Sequence, residues 1–277
     1  MKKLITTLLL LLSFTLTYGQ TAKDFIDNGV NKLSSNNYLE AINDFTKAIE
    51  MNPDRIFASL AYSSRGSCKF ILSDYQGAIL DFDKSIELKP DINSLYLPNN
   101  YFLRGRCKSN INDYQGAIED YSKAIDINYN TEESYFRRGL AKGLLKDYVP
   151  GIVDITKAIE LNSSNDEYYR IRGSLKLQLM DCRGAILDFD KAIGLNPNDN
   201  DSFVGRGNSK SLLKDYNGAI SDFDKAIKLN PSLSNTYSMR GLAKLSLNDK
   251  DNACIDFSKS GELGNSDAYR LIKEFCN

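Results

Sequence analysis

Along this chain, large apolar residues alternate with very small ones at intervals that belong to helices. Glycines recur at Gly29, Gly66, Gly105, Gly139, Gly173, Gly207 and Gly241, separated by 37, 39, 34, 34, 34 and 34 residues. Twelve positions after each stands a very small residue: Ala41, Ala78, Ala117, Gly151, Ala185, Ala219 and Ala253. Four further on comes a large apolar one, at Phe45, Phe82, Tyr121, Ile155, Phe189, Phe223 and Phe257. Three beyond that the small set returns, at Ala48, Ser85, Ala124, Ala158, Ala192, Ala226 and Ser260. Steps of four and three keep these residues on one face of an α-helix. The pattern predicts seven pairs of helices. In each pair a glycine on the first helix and small residues on the second let two backbones approach, and the ring between them fills the gap.

The punctuation agrees with this reading. An aspartate recurs between the helices, at Asp74, Asp113, Asp147, Asp181, Asp215 and Asp249, with Asn37 in the first unit, placed to accept from the free amides that open the second helix. Pro150 falls in the first turn of a second helix, where a missing amide hydrogen costs little. Pro53, Pro90, Pro197 and Pro231 end four second helices. Residues 266–277 read as one further amphipathic helix, with Ala268, Leu271, Ile272 and Phe275 at helical spacing, expected to cap the apolar end of a stack of hairpins.

A 34-residue helix-turn-helix with glycine, a turn tyrosine (Tyr38, Tyr75, Tyr114, Tyr148, Tyr216), alanine, phenylalanine, alanine and proline at these offsets resembles the tetratricopeptide repeat. The resemblance implies an all-α fold, a right-handed α-α superhelix, with repeats over 22–55, 59–92, 98–131, 132–165, 166–199, 200–233 and 234–265. Gly151, Cys182 and Lys250 depart from the pattern, and extra residues around Asp54 to Phe57 and Pro90 to Leu97 are expected to alter stacking locally. Members of this family bind a protein or peptide in a concave groove lined by the first helices. Carried over by position, the groove comprises Phe102, Arg106 and Asn110; Phe136, Arg137 and Leu140; Arg170, Ser174 and Gln178; and Asn208. An aromatic and basic groove suits an extended peptide that offers a carboxylate or phosphate beside an apolar side chain.

Six units carry an arginine just before the glycine (Arg65, Arg104, Arg138, Arg172, Arg206, Arg240) and a lysine four residues later (Lys69, Lys108, Lys142, Lys176, Lys210, Lys244). The second helices supply Asp44, Asp81, Asp120, Asp154, Asp188, Asp222 and Asp256. Either the bases form a stripe for an acidic partner, or they pair with the aspartates and fix helix register. Matched occurrence of base and acid favours pairing.

Composition narrows the function. The chain has no histidine, which removes the commonest general base and transition-metal ligand. No nucleophile-base pair, phosphate loop or metal cluster is legible, so neither an enzyme nor a bound cofactor is expected. With 35 basic and 36 acidic residues the chain has no general field for nucleic acid. Lys2 and Lys3 before an apolar run from Leu4 to Leu16, then Thr17 and Gly19, have the form of an export signal over residues 1–19. At thirteen residues the run is shorter than the roughly twenty that span a bilayer, and no direct membrane insertion is expected. The expected product is an exported, periplasmic or secreted, interaction scaffold; the alternative is an accessory subunit of an envelope or secretion assembly, docked through its convex or terminal surface. Of five cysteines, Cys68 and Cys107 read as small core residues and Cys182 as a turn residue. Cys254 and Cys276 stand where a bridge would staple the end of the array.

Overall fold

The structure, a computed structural model, describes residues 20–88 and 96–276. The export signal expected over 1–19, and residues 90–95 of the second insertion, lie outside the described residues. Every regular element among the described residues is an α-helix. Two compact units divide the chain at Tyr129. The first contains α1 (Ala22–Ser34), α2 (Tyr38–Glu50), α3 (Arg55–Ile71), α4 (Tyr75–Glu87), α5 (Tyr96–Asn110) and α6 (Tyr114–Asp126). The second contains α7 (Thr131–Leu144), α8 (Tyr148–Leu161), α9 (Asp166–Gln178), α10 (Cys182–Leu195), α11 (Asn200–Leu212), α12 (Tyr216–Leu229), α13 (Ser234–Ser246), α14 (Lys250–Glu262) and α15 (Asp267–Phe275). Consecutive helices pair as antiparallel hairpins, and within each unit the second helix of one hairpin packs on the first helix of the next.

The core follows the small-large-small pattern. Phe45, Phe82, Tyr121, Ile155, Phe189, Phe223 and Phe257 are at most 1% exposed, and the alanines twelve positions after each glycine are fully buried. The glycines are small because the rings press on them: a β-carbon on Gly207 would lie 2.7 Å from the Phe223 ring. The departure at Gly151 has a steric cause. A β-carbon there would meet the Gly139 carbonyl oxygen at 2.9 Å and Leu175 at 3.2 Å, so α7 and α8 approach more closely than an alanine permits.

The turns hold a regularity that the residue types conceal. Asn36, Ser73, Asn112, Lys146, Met180, Lys214 and Asn248, each in the turn between the two helices of a hairpin, have φ between 61° and 65°. This left-handed conformation is met without a glycine in any of the seven. The expected aspartate caps form at four hairpins, where Asp74, Asp113, Asp181 and Asp215 accept from the amides of Gly77, Gly116, Gly184 and Gly218 at 2.9–3.0 Å. Asp147, Asp249 and Asn37 do not cap by side chain. At Asp147 the reason is chemical: the residue three positions on is Pro150, which has no amide hydrogen to give. Asp249 instead accepts from the side-chain amide of Asn252 at 2.9 and 3.0 Å.

The residues around Asp54 to Phe57 lengthen α3 to 17 residues, and Asp54 caps it through the amides of Ile56 and Phe57. One further expectation is corrected. Cys182 opens α10 and is 5% exposed, so it is a core residue and not a turn residue. Cys68 and Cys107 are fully buried and free. Cys254 and Cys276 are joined by a disulfide with their Cα atoms 5.7 Å apart, tying α15 to α14. Ala268 and Leu271 of α15 are buried, and Ile272 and Phe275 pack on the cluster of Ala253 and Phe257.

Candidate functional site

The charged ladder is structural. Each of the six arginines donates two hydrogen bonds to the aspartate sixteen residues later, as Arg206 does to Asp222 at 3.0 and 2.5 Å, and the matching lysine, Lys210, reaches the same carboxylate at 2.8 Å. The third guanidinium nitrogen often binds the preceding hairpin. Arg65 reaches Thr46, Arg104 reaches Asp83, Arg172 reaches Thr156, Arg206 reaches Asp190 and Arg240 reaches Asp224. One arginine therefore clamps its own hairpin and the one before it. Each also lies 5.3–5.6 Å from an aromatic ring three residues earlier. For Arg104, burial disfavours the charge, but the hydrogen bonds and fields of Asp120 and Asp83 outweigh it and hold the guanidinium above its ordinary range. Of the two readings of these bases, pairing is the one the geometry contains.

The face built by the first helices of the second unit holds a different feature. Between α9, α11 and α13 lies a hollow of about 500 Å³. Its walls are apolar: Leu177 and Met180, then Leu212 and Tyr216, then Met239, Leu242 and Ala243. Four polar side chains reach it, Gln178, Asn208, Ser211 and Ser246, and none of the lining groups carries a charge at neutral pH. Leu212 and Leu242 are 51% and 42% exposed, a solvation that a covering ligand would relieve. Neither Gln178 nor Asn208 has a side-chain hydrogen bond among the described residues, so both amides can donate to and accept from a ligand.

A family model described as tetratricopeptide repeat matches residues 29–55, 98–131 and 201–233. The chain carries tetratricopeptide repeats. Among solved structures, it is similar to the C-terminal part of a tetratricopeptide repeat-containing protein from Cytophaga hutchinsonii, at 18% identity and a TM-score of 0.72, covering 88% of this chain and 98% of that one. A tetratricopeptide repeat protein from Parabacteroides merdae is 19% identical with a TM-score of 0.64, covering 94% and 100%. The crystal structure of MamA is 25% identical over 62% of this chain and 94% of its own, with a TM-score of 0.57. No curated protein sequence matches the chain.

Within the tetratricopeptide frame, the sequence-derived groove residues divide into four groups. Gln178 and Asn208 line the hollow. Phe102 and Phe136 do not line an open surface: they are 5% and 3% exposed, Phe102 packed against Tyr121 and Tyr129 and Phe136 stacked 4.6 Å from Tyr168. A ring three residues before the glycine faces the hairpin interior, because that offset returns it to the buried side of the helix. The basic members are already engaged. Arg137 pairs with Glu133 at 2.6 Å, Arg170 with Glu167 and Asp199 at 3.4 and 3.5 Å, and Arg106 lies 4.6 Å from the Phe70 ring. Ser174 donates to the Arg170 carbonyl and Asn110 to the Arg106 carbonyl, while Leu140 is half-buried.

Several of the residues that the sequence reading missed share offsets with those it found. Leu242 follows its glycine as Asn208 and Ser174 follow theirs, and Leu212 and Ser246 stand five residues after the glycine as Gln178 does. Extending both offsets through the last two repeats would have found Leu212, Leu242 and Ser246, but not Leu177, Ser211, Tyr216 or Ala243. Nothing in the spacing announces Met180, which arrives through its left-handed turn.

Proposed function

We propose that this chain is an exported scaffold that binds a protein or peptide through the hollow between α9, α11 and α13. The observation that carries this reading is a solvent-open apolar hollow with two unengaged amides on its wall. An apolar side chain of the partner would fill the space beside Leu212 and Leu242, and Gln178 and Asn208 would hydrogen-bond its backbone. The fold can hold such a site: YrrB, an 18% identical structure with a TM-score of 0.58, is described as a tetratricopeptide repeat protein with an unusual peptide-binding site. Export is supported by the pattern of residues 1–19 and by the Cys254–Cys276 pair, since disulfides persist in oxidising compartments.

A second reading, an accessory subunit docked in an envelope assembly, is favoured by apolar residues on the second helices. Val153 on α8 and Leu187 on α10 share one offset and are 57% and 70% exposed. One experiment separates the two. A photo-crosslinking amino acid at Leu242 or at Leu187, followed by mass spectrometry of adducts formed in the native envelope, should give adducts at Leu242 if the hollow is the binding site. Adducts at Leu187 alone would replace the first reading with the second.

A further inference from the structure

The first hairpin reproduces the arginine clamp with the arginine left out. In the other six, a buried aspartate receives two hydrogen bonds from a guanidinium and one ammonium contact, and the guanidinium lies against a ring; Asp81, for example, holds Arg65 at 2.9 and 2.7 Å and Lys69 at 2.8 Å, with Tyr62 beside the arginine. In the first hairpin Asp44 occupies the carboxylate position and Phe25 the ring position, but Asn28 stands where the arginine would be. Asp44 keeps only its lysine, Lys32, at 2.8 Å. Its side chain is 9% exposed; the lysine contacts Oδ2, and Oδ1, the oxygen that takes the second guanidinium nitrogen in the other hairpins, has no side-chain partner among the described residues. Asn28 is exposed and has no side-chain partner among the described residues. The ring already attracts a cation, since the ammonium of Lys47 lies 5.3 Å from the Phe25 centroid.

We propose that Asp44, Phe25 and the space beside Asn28 form a binding site for an arginine side chain presented by a partner protein at the outer face of the first hairpin. The chemistry selects the ligand. A nearly buried carboxylate with only one of its oxygens engaged favours a further cationic donor, and a planar guanidinium reaches both oxygens while lying against the ring, as six copies within this chain demonstrate. An ammonium would supply only a point charge, and Lys32 already provides one. The site is separate from the apolar hollow and does not depend on it.

The test uses the whole chain and Nα-acetyl-arginine methylamide as probe, with the lysine counterpart as control. NMR signals of the Phe25 ring and the Asn28 side-chain amide should shift saturably with the arginine probe, at least threefold more tightly than with the lysine probe. Asn28→Arg should fill the slot from within, abolishing those shifts and raising the thermal midpoint. Asp44→Asn should abolish them as well, but that variant alone does not decide the matter if it folds poorly, which is why Asn28→Arg is the deciding one. Shifts that fail to saturate, that are equal for both probes, or that survive Asn28→Arg would overturn the proposal, as would an Asn28→Arg protein no more stable than the original.

Discussion

Gly139 and Gly151 face each other across α7 and α8, each so close that a β-carbon on either would lie within 3 Å of the other's carbonyl oxygen, at 2.8 Å and 2.9 Å. Six other hairpins hold an alanine where Gly151 stands. Alanine normally stabilises a helix interior by roughly 0.5–1 kcal/mol over glycine. Here the backbone contact reverses the sign, and Gly151→Ala should destabilise the protein by about 1–3 kcal/mol. Urea unfolding followed by helical circular dichroism measures it; a stabilised variant would mean that the two helices can separate without cost.

The arginine clamp gives a larger and asymmetric prediction. Arg206→Ala removes the partner of a carboxylate 4% exposed and should cost about 3–5 kcal/mol, because Asp222 remains buried with one lysine. The double replacement Arg206→Met with Asp222→Leu should recover most of that loss, since an apolar pair carries no desolvation cost. Equal losses in the single and double variants would show that packing of the arginine stem, and not the charge pair, dominates.

Lys214 holds a left-handed conformation, φ 65°, in the turn before Asp215. Lys214→Gly should stabilise the protein by roughly 1 kcal/mol, the strain a side chain meets in that conformation less the added freedom of the unfolded chain. Thermal unfolding of the single variant provides the check, and a lowered midpoint would contradict it.

Burial pushes the Cys68 and Cys107 thiols up, from an ordinary value of 9.0 to about 11 and about 12. A thiol that ionises later in the fold than in the unfolded chain adds stability that is whole below pH 9 and is lost as pH rises toward 11 and 12. Replacing both residues with alanine should flatten the decline of stability over that window. The native protein should also leave both thiols unmodified by iodoacetamide at pH 8, where neither is ionised. Rapid modification without unfolding would place them at the surface.

The charge state of the hollow yields the last prediction. With no ionisable lining group other than the Tyr216 phenol, capture of an apolar peptide there should be nearly insensitive to salt between low and physiological ionic strength. Leu242→Asp should weaken binding at least tenfold, a cost of about 1.4 kcal/mol or more, while leaving helicity unchanged. A steep salt dependence would instead return the binding role to the arginines.

The hairpins and the core were legible because each depends on local period. Gly207, Ala219, Phe223 and Ala226 fall on fixed helical offsets, and a helix converts offset into direction without help from the rest of the chain. Of the residues placed in the groove by position, Gln178 and Asn208 lie on the hollow, whereas Phe102 and Phe136 turn inward and Arg137 and Arg170 are paired with acids.

By itself, then, the sequence determined which residues face which helix and where each hairpin turns, since backbone sterics and apolar burial act over a few residues. Only the tertiary structure decided which surface residues remain available. That depends on what neighbouring hairpins bring near: a carboxylate from Asp199 to occupy Arg170, and three first helices side by side to enclose a hollow. Availability is a property of the space between elements, and the spacing of residues along one helix does not contain it.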